Sequence, residues 1–173
     1  DIKLPIYDSL GGNFTLPGTT DADVTLSDYQ GKIVLLNFGY THCPDICPMV
    51  LNRVANLSKK LELQFGIDSH KLQTIFITVD PERDTLLLLK EYLAFFNENF
   101  IGISGSEKQT AEVANSYAVF FEKEVIENGD YQVAHNDKIF LLDKRGRLRA
   151  LYSKSDTDED IINAIVSLSA AKI

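Results

Sequence analysis

Long apolar segments and an excess of basic residues are both missing from this sequence of 173 residues. No apolar run approaches the roughly 20 residues that a membrane-spanning helix needs, so we expect no such helix in these residues. Lysine and arginine total 17 against 25 aspartate and glutamate residues, which gives a formal net charge of −8. Because nucleic acids and anionic lipids would repel such a chain, neither is expected as a partner.

Internal repeats, low-complexity tracts and linker-like stretches are also lacking, which predicts a single domain over residues 1–173. A chain of this length can bury a core without covalent staples, so a disulfide for stability is optional. The sequence begins at Asp1 rather than at a methionine. This start is compatible with the removal of a signal or anchor, so we do not infer that the protein resides in the cytosol.

Apolar runs in the first half of the chain predict strands and one long helix. Residues 1–30 are predicted to form an irregular or hairpin extension, with the strand-like pieces NFTL and DVTL. The runs at 33–38 and 73–79 suit strands that are covered on both faces, as in a parallel sheet flanked by helices. Between them, apolar residues recur at steps of three or four from Ile46 to Phe65, which predicts an amphipathic helix that Gly66 ends.

The second half of the chain is predicted from its capping residues, turn residues and shorter apolar runs. In chain order, the first predicted elements are a helix capped by Asp84, a strand at FIGIS and a helix with a Ser106–Gln109 capping box that ends near Tyr117. A hairpin around Asn128-Gly129 and the strands KIFLLD and RLRALY follow. The last helix is opened by Asp156 and Glu159, and its predicted apolar face consists of Ile161, Ile162, Ile165 and Leu168. This order is typical of a thioredoxin-like α/β domain, with a central mixed sheet flanked by helices and an N-terminal hairpin extension.

The two cysteines of the chain, Cys43 and Cys47, lie in YTHCPDICP, where the first central strand meets its helix. Ligand sites of open α/β folds cluster at this end of the sheet. Four residues of helix advance the chain by about 6 Å, which allows the two sulfurs to bond each other or to hold one ion. Whether Pro44 or Pro48 starts the helix, Cys47 lies near its N-terminus, where a thiolate is favoured. Both a nucleophile and a soft-metal ligand need that thiolate.

Comparison with other dithiol proteins narrows these possibilities. Thioredoxin-type reductases use CxxC and a proline before the strand that corresponds to KIFLLD, and no proline stands there in this chain. Peroxiredoxins place a threonine three residues before the reactive cysteine, where this chain has Tyr40. Two thiolates suit Cu(I), an added imidazole also suits Cu(II), and a structural zinc site would need two histidines in addition.

The three histidines are unequal candidates for a third ligand. His70 lies in a polar turn and is expected to be solvated, and His42 is a neighbour of Cys43 in the same loop. His135 comes from a distant segment that ends at the same edge of the predicted sheet, which makes it the better candidate. From the chain alone, a plain surface or core histidine remains an open interpretation of His135.

Four segments, GKIVLLNFGYTHCPDICP, VDPERDT, FIGISG and YQVAHNDKIFLLDKRGRLRALY, closely resemble the Sco/SenC proteins over roughly residues 10 to 170. These are thioredoxin-fold copper chaperones implicated in assembling the binuclear copper centre of cytochrome c oxidase subunit II. The resemblance implies that copper, as Cu(I) and Cu(II), is held by Cys43, Cys47 and His135. It implies a copper acceptor such as subunit II, other copper chaperones and thiol reductants as partners, and a monomeric domain.

The resemblance also implies tethering to the bacterial cytoplasmic membrane or the mitochondrial inner membrane, with the domain in the periplasm or the intermembrane space. One position departs from the family pattern, because Ala134 stands where an aspartate usually precedes the histidine. If that aspartate orients the imidazole, its loss is expected to weaken Cu(II) binding by about 10–100-fold. Asp80 has two open interpretations: part of a turn that caps the next helix, or a group beside the cysteines that tunes their acidity or contacts a partner.

Other functions use the same cysteine pair. A thiol–disulfide reductase would keep the acceptor's cysteines reduced, with Cys43, predicted to be the more exposed thiol, attacking first. A redox or copper sensor would pass its state to a partner without transferring metal. A purely structural disulfide is the remaining interpretation. Apart from possible thiol–disulfide exchange, enzyme activity is not expected.

Overall fold

The computed structural model describes residues 2–44, 46–126, 131–134 and 137–173, without the side chains of residues 132 and 134. Among these residues, the strands are β1 (Thr15–Pro17), β2 (Asp23–Thr25), β3 (Ile33–Gly39), β4 (Leu72–Thr78), β5 (Ile101–Ile103), β6 (Glu122–Val125), β7 (Tyr131–Ala134), β8 (Ile139–Leu142) and β9 (Leu148–Tyr152). The helices are α1 (Ile46–Phe65), α2 (Leu86–Ala94), α3 (Glu107–Ser116) and α4 (Asp158–Ala170).

The central sheet is mixed and has the strand order β5-β4-β3-β8-β9. Strands β3, β4 and β5 run parallel, whereas β8 is antiparallel to β3 and β9 is antiparallel to β8. The strand pairs β1–β2 and β6–β7 form separate antiparallel hairpins. Both hairpins and the mixed sheet were predicted from the sequence, although the turn at Asn128-Gly129 lies outside the described residues.

The two faces of the sheet pack against different partners, because successive side chains of a strand point to opposite sides. Ile33 and Leu35 of β3 face a cluster that includes residues of α1, α2 and α4. Val34, Leu36 and Phe38 face the other cluster, which includes residues of β1, β2 and α3. All seven residues of β3 are buried, so the predicted coverage of both faces is confirmed.

The buried stripe of α1 differs from the predicted one. Buried side chains on the helix are Cys47, Leu51, Val54, Leu57 and Leu61, whereas Ile46 and Phe65 are exposed. The stripe is shifted because the sheet lies on the side of the helix that carries Cys47. Gly66 ends the helix with a positive φ of 63°, as predicted. In the described part of the chain, no helix combines the length and the hydrophobicity that are needed to cross a membrane.

Two predicted helix starts are wrong by one residue. Thr85, not Asp84, caps α2 by accepting a hydrogen bond from the Leu88 N–H group. Thr157, not Asp156, caps α4 in the same way. The capping box of α3 is confirmed in both of its hydrogen bonds.

Helices α2 and α4 each bury one face. In the run Leu86–Leu89, Leu89 is fully buried and Leu87 is exposed, because α2 turns only one face to the core. In α4 the buried residues are Ile161, Ala164, Ile165 and Leu168, so Ala164 replaces Ile162 on the predicted face.

Candidate metal centre

The two cysteines lie side by side at the carboxyl end of β3. The strand ends at Gly39, and α1 begins at Ile46, so Cys43 precedes the helix and Cys47 is its second residue. Neither cysteine is in a disulfide, and the Cys47 N–H group donates a hydrogen bond of 3.4 Å to the Cys43 sulfur. Cys43 is 7% exposed and Cys47 is 2% exposed, so Cys43 is the more exposed thiol, as predicted, although both side chains are buried. The pair is closed over by the loop, the sheet end and the first turn of α1.

The Cys47 thiol is a weaker acid than its place at a helix N-terminus predicts. Its hydrogen bond with Cys43 raises its pKa most, and burial raises it further. The nearby negative charge of Asp84 acts in the same direction. A thiol at a helix N-terminus has a net pKa below its ordinary value only when these opposing effects are small. In the metal-free protein this thiol therefore stays protonated, and a metal ion must displace the proton in order to bind the sulfur.

Asp84 fixes the loop that carries the cysteines rather than capping a helix. Its side chain is fully buried, and three donors converge on its carboxylate. The Thr41 hydroxyl donates to Oδ1 at 2.5 Å, and the Thr41 N–H group donates to Oδ2 at 3.0 Å. The Thr78 hydroxyl, at the end of β4, donates to Oδ2 at 2.6 Å. Asp84 thus ties the backbone two residues before Cys43 to the end of the neighbouring strand.

Asp80 is equally buried, but it faces the β6–β7 hairpin. Arg83 Nε donates to Asp80 Oδ2 at 2.5 Å, and the Tyr131 hydroxyl donates to Asp80 Oδ1 at 2.7 Å. The Arg83 guanidinium also lies over the Tyr131 ring, 3.7 Å from its centroid. Burial, then the hydrogen bond to Asp80, raises the pKa of Tyr131 to about 12. Asp80 is therefore more than a turn residue, since it joins the loop after β4 to strand β7.

The hairpin also touches the cysteine loop directly. Burial raises the pKa of Tyr40, and a hydrogen bond with the backbone of Val133 partly offsets this rise. Tyr40 precedes Cys43 by three residues, and Val133 precedes His135 by two. Tyr40, Val133 and both cysteines belong to one buried cluster. The segment that leads to His135 thus packs against the segment that leads to Cys43.

The histidines differ in what the structure shows of them. His42 is half-exposed, and its Nδ1 lies 3.3 Å from the Thr41 hydroxyl and 3.9 Å from Asp84 Oδ1. His70 is exposed, as predicted. His135 lies outside the described residues, as does Asp45 of the CxxxC motif, so the structure does not test His135 as a ligand.

One cluster of possible hard-metal ligands occurs among the described residues. Ligand atoms of His42, Asp80 and Asp84 all lie within 4.8 Å of one another. Both carboxylates already accept hydrogen bonds from Thr41, Thr78, Arg83 or Tyr131. We therefore assign this cluster a structural role.

Sequence reasoning missed Thr41, Thr78 and Tyr131. Each is a single polar residue beside an apolar segment, and its partner is far away in the chain, so no local spacing marks it. The one available signal was position, since Thr78 and Asp84 follow a buried parallel strand at the edge where ligand sites cluster.

Fold and site together define a thioredoxin-like protein with a buried, reduced dithiol at the carboxyl end of its mixed sheet. The chain belongs to the SCO1/SenC family, whose model matches residues 5–170. The family resemblance and the predicted fold are thus confirmed.

Two relatives illustrate the match. The mitochondrial SCO2 homolog of Bos taurus is 39% identical over 140 residues, which are 80% of this chain and 52% of that protein. The mitochondrial SCO1 homolog 1 of Arabidopsis thaliana is 35% identical over 91% of this chain and 46% of that protein. The chain therefore spans about half the length of these relatives.

Two solved structures described as having copper bound are similar throughout. ScoI of Arabidopsis thaliana superposes with a TM-score of 0.84 and 35% identity, and the match covers 91% of this chain and 96% of that one. ScoI of Bradyrhizobium japonicum superposes with a TM-score of 0.82 and 36% identity, covering 92% of this chain and 99% of that one.

Proposed function

We propose that this domain binds copper through Cys43, Cys47 and His135 and delivers it during assembly of cytochrome c oxidase. The observation that supports the proposal is the pair of adjacent cysteines, not joined by a disulfide, at the carboxyl end of the sheet. The chain belongs to a family in which related structures are described with copper bound. Thiolates are the ligands that Cu(I) prefers, and imidazole adds a ligand that suits Cu(II).

The chemistry of the thiols fits a carrier that exchanges its metal. Binding of copper to Cys43 and Cys47 releases their thiol protons, and the raised pKa of Cys47 makes that release costly at neutral pH. A site with two or three ligands leaves copper open to thiols or imidazoles of an acceptor, which can replace the donors one at a time. The proposed acceptor is subunit II of cytochrome c oxidase or another copper protein. The proposed location is the periplasm or the intermembrane space.

A copper titration tests the site. Reduced protein is expected to bind one equivalent of Cu(I) or Cu(II), and Cu(II) is expected to produce thiolate-to-copper absorption bands. Cys43→Ser and Cys47→Ser should each weaken copper binding and reduce these bands, because each removes one of the two soft donors. His135→Ala should weaken Cu(II) binding, whereas His70→Ala is the matched control for loss of an exposed imidazole and should leave it unchanged.

Two results would contradict the assignment. Substoichiometric binding by the reduced wild-type protein would exclude a dedicated copper site. Equal losses in His135→Ala and His70→Ala would exclude His135 as a specific ligand.

Ala134 gives a second prediction, for Cu(II) affinity. Ala134→Asp is expected to tighten Cu(II) binding by about tenfold, because a carboxylate beside a ligating histidine orients its ring. Competition titration against a chelator measures this change. Ala134→Asn is the control of equal shape without the charge and should tighten binding less. No tightening in Ala134→Asp would mean that this position does not act through the histidine.

Thiol–disulfide reduction of an acceptor is less well supported. A fast nucleophile needs an accessible thiolate, whereas both thiols are buried and the pKa of Cys47 is raised. Turnover of a disulfide substrate by the metal-free protein would favour this alternative. A sensor role requires a partner that distinguishes the metal-free, copper-loaded and oxidised forms.

A further inference from the structure

The β6–β7 hairpin depends on contacts with the rest of the domain for its position. Its two strands pair only with each other among the described residues, and every residue of β6 is exposed. An isolated two-stranded ribbon is marginally stable in water at best. Its position against the domain must therefore come from side-chain contacts.

Those contacts converge on the six-residue loop Asp80–Thr85. The Tyr131 hydroxyl donates to the buried Asp80 carboxylate, and the Arg83 guanidinium covers the Tyr131 ring. Lys123 Nζ of β6 lies 5.0 Å from the centroid of the same Tyr131 ring. It also donates a hydrogen bond of 2.8 Å to Glu82. Lys123 also donates to Glu107 of α3 at 2.7 Å. Both strands of the hairpin are thus attached to one loop.

The same loop holds the cysteine segment. Asp84 accepts hydrogen bonds from the Thr41 backbone and hydroxyl groups, two residues before Cys43. Asp80, four residues earlier, holds Tyr131, which lies four residues before His135 in the chain. Because the two buried carboxylates belong to one short loop, they hold the two segments side by side, together with the direct hydrogen bond between Tyr40 and the Val133 backbone.

We propose that Tyr131, held by Asp80 and Arg83, is a positioning residue that sets the β6–β7 hairpin for Cu(II) coordination. This inference rests on the proposed function, in which His135 is a ligand. Two thiolates can hold Cu(I) without an imidazole, whereas Cu(II) needs the nitrogen donor. The hydroxyl of Tyr131 therefore affects the affinity for Cu(II) more than that for Cu(I). Ionic and aromatic contacts of Arg83 keep the tyrosine ring in one orientation.

Tyr131→Phe tests the inference, since it removes one hydroxyl and leaves the Arg83–Asp80 ion pair in place. Cu(II) affinity is expected to fall by about tenfold, as for other groups that orient a metal ligand, while Cu(I) affinity, which depends mainly on the two thiolates, falls much less. In the metal-free variant, amide hydrogen exchange of residues 131–134 should become faster, because the hairpin is less firmly held. Tyr7→Phe is the matched control, since Tyr7 lies against Leu148 at the other end of the sheet and should change neither property.

The outcomes separate this inference from the proposed function. Unchanged Cu(II) affinity in Tyr131→Phe overturns the positioning role, even if the wild-type protein binds copper as proposed. Equal losses for Cu(I) and Cu(II) also overturn it, because they indicate a general loss of structure. Absence of copper binding by the wild-type protein overturns the proposed function itself. Unchanged hydrogen exchange in metal-free Tyr131→Phe shows, independently of copper, that the Tyr131 hydroxyl does not stabilise the hairpin.

Discussion

Replacing Asp84 with alanine is expected to lower the free energy of unfolding by about 3–5 kcal/mol, a large effect for one residue. The substitution leaves the Thr41 N–H group and the Thr41 and Thr78 hydroxyls without the acceptor that they share. These groups lie beside a carboxylate that is fully buried, so water cannot replace it without opening the loop. Copper affinity should fall as well, since the backbone before Cys43 loses its anchor.

Urea unfolding of the reduced, metal-free protein measures this effect. Asp84→Asn keeps the shape and one acceptor oxygen, so it should lose less stability than Asp84→Ala. Asp28→Ala is the surface control, because Asp28 is exposed and its loss should change stability by no more than about 0.5 kcal/mol. A loss in Asp84→Ala as small as that of the control would refute the anchoring role.

Gly39→Ala is expected to destabilise the protein by about 2–3 kcal/mol and to weaken copper binding. A Cβ atom at this buried position would lie 2.8 Å from the Cys47 sulfur and 2.9 Å from Phe76 Cε2. Both distances are well inside van der Waals contact, which lies at about 3.5–4.0 Å. Since Phe76 is fully buried and cannot retreat, the Cys47 side chain must shift, which disturbs its contact with Cys43.

Gly102→Ala is the control for overpacking alone. Its Cβ atom would lie 2.6 Å from atoms of Leu89, in the core beneath α2 and away from the cysteines. We expect Gly102→Ala to lose similar stability in urea unfolding but to keep the wild-type copper affinity in competition titrations. Equal weakening of copper binding in both variants would show that Gly39 has no specific effect on the dithiol.

Much of the fold could be predicted because its signals are local. The runs at 33–38 and 73–79 are apolar throughout, and only strands covered on both faces bury such runs completely. The Ser106–Gln109 capping box and Gly66 with its positive φ are likewise set by neighbouring residues. The place of the cysteines at the end of β3 follows from the same reasoning.

Predictions failed where the tertiary structure, rather than neighbouring residues, decides the role or the pKa of a side chain. Asp84 is of a residue type that often caps helices, and it lies just before α2. Its carboxylate is nevertheless buried and accepts hydrogen bonds from Thr41 and Thr78, so Thr85 caps the helix instead. The helix N-terminus favours a Cys47 thiolate, but burial and the contact with Cys43 raise its pKa. The contact with Cys43 follows from the CxxxC spacing, whereas the burial of Cys47 depends on how the strands and helices pack.

The amino-acid sequence by itself determined the strands, the helices, the family and the two sulfurs, because apolar periodicity, capping residues and a CxxxC motif act over a few neighbouring positions. Only the tertiary structure decided that Asp80 and Asp84 hold two separate segments from one loop. Hydrogen bonds of these carboxylates with residues that are 43 and 51 positions away are set by how the strands pack, and no local pattern encodes them.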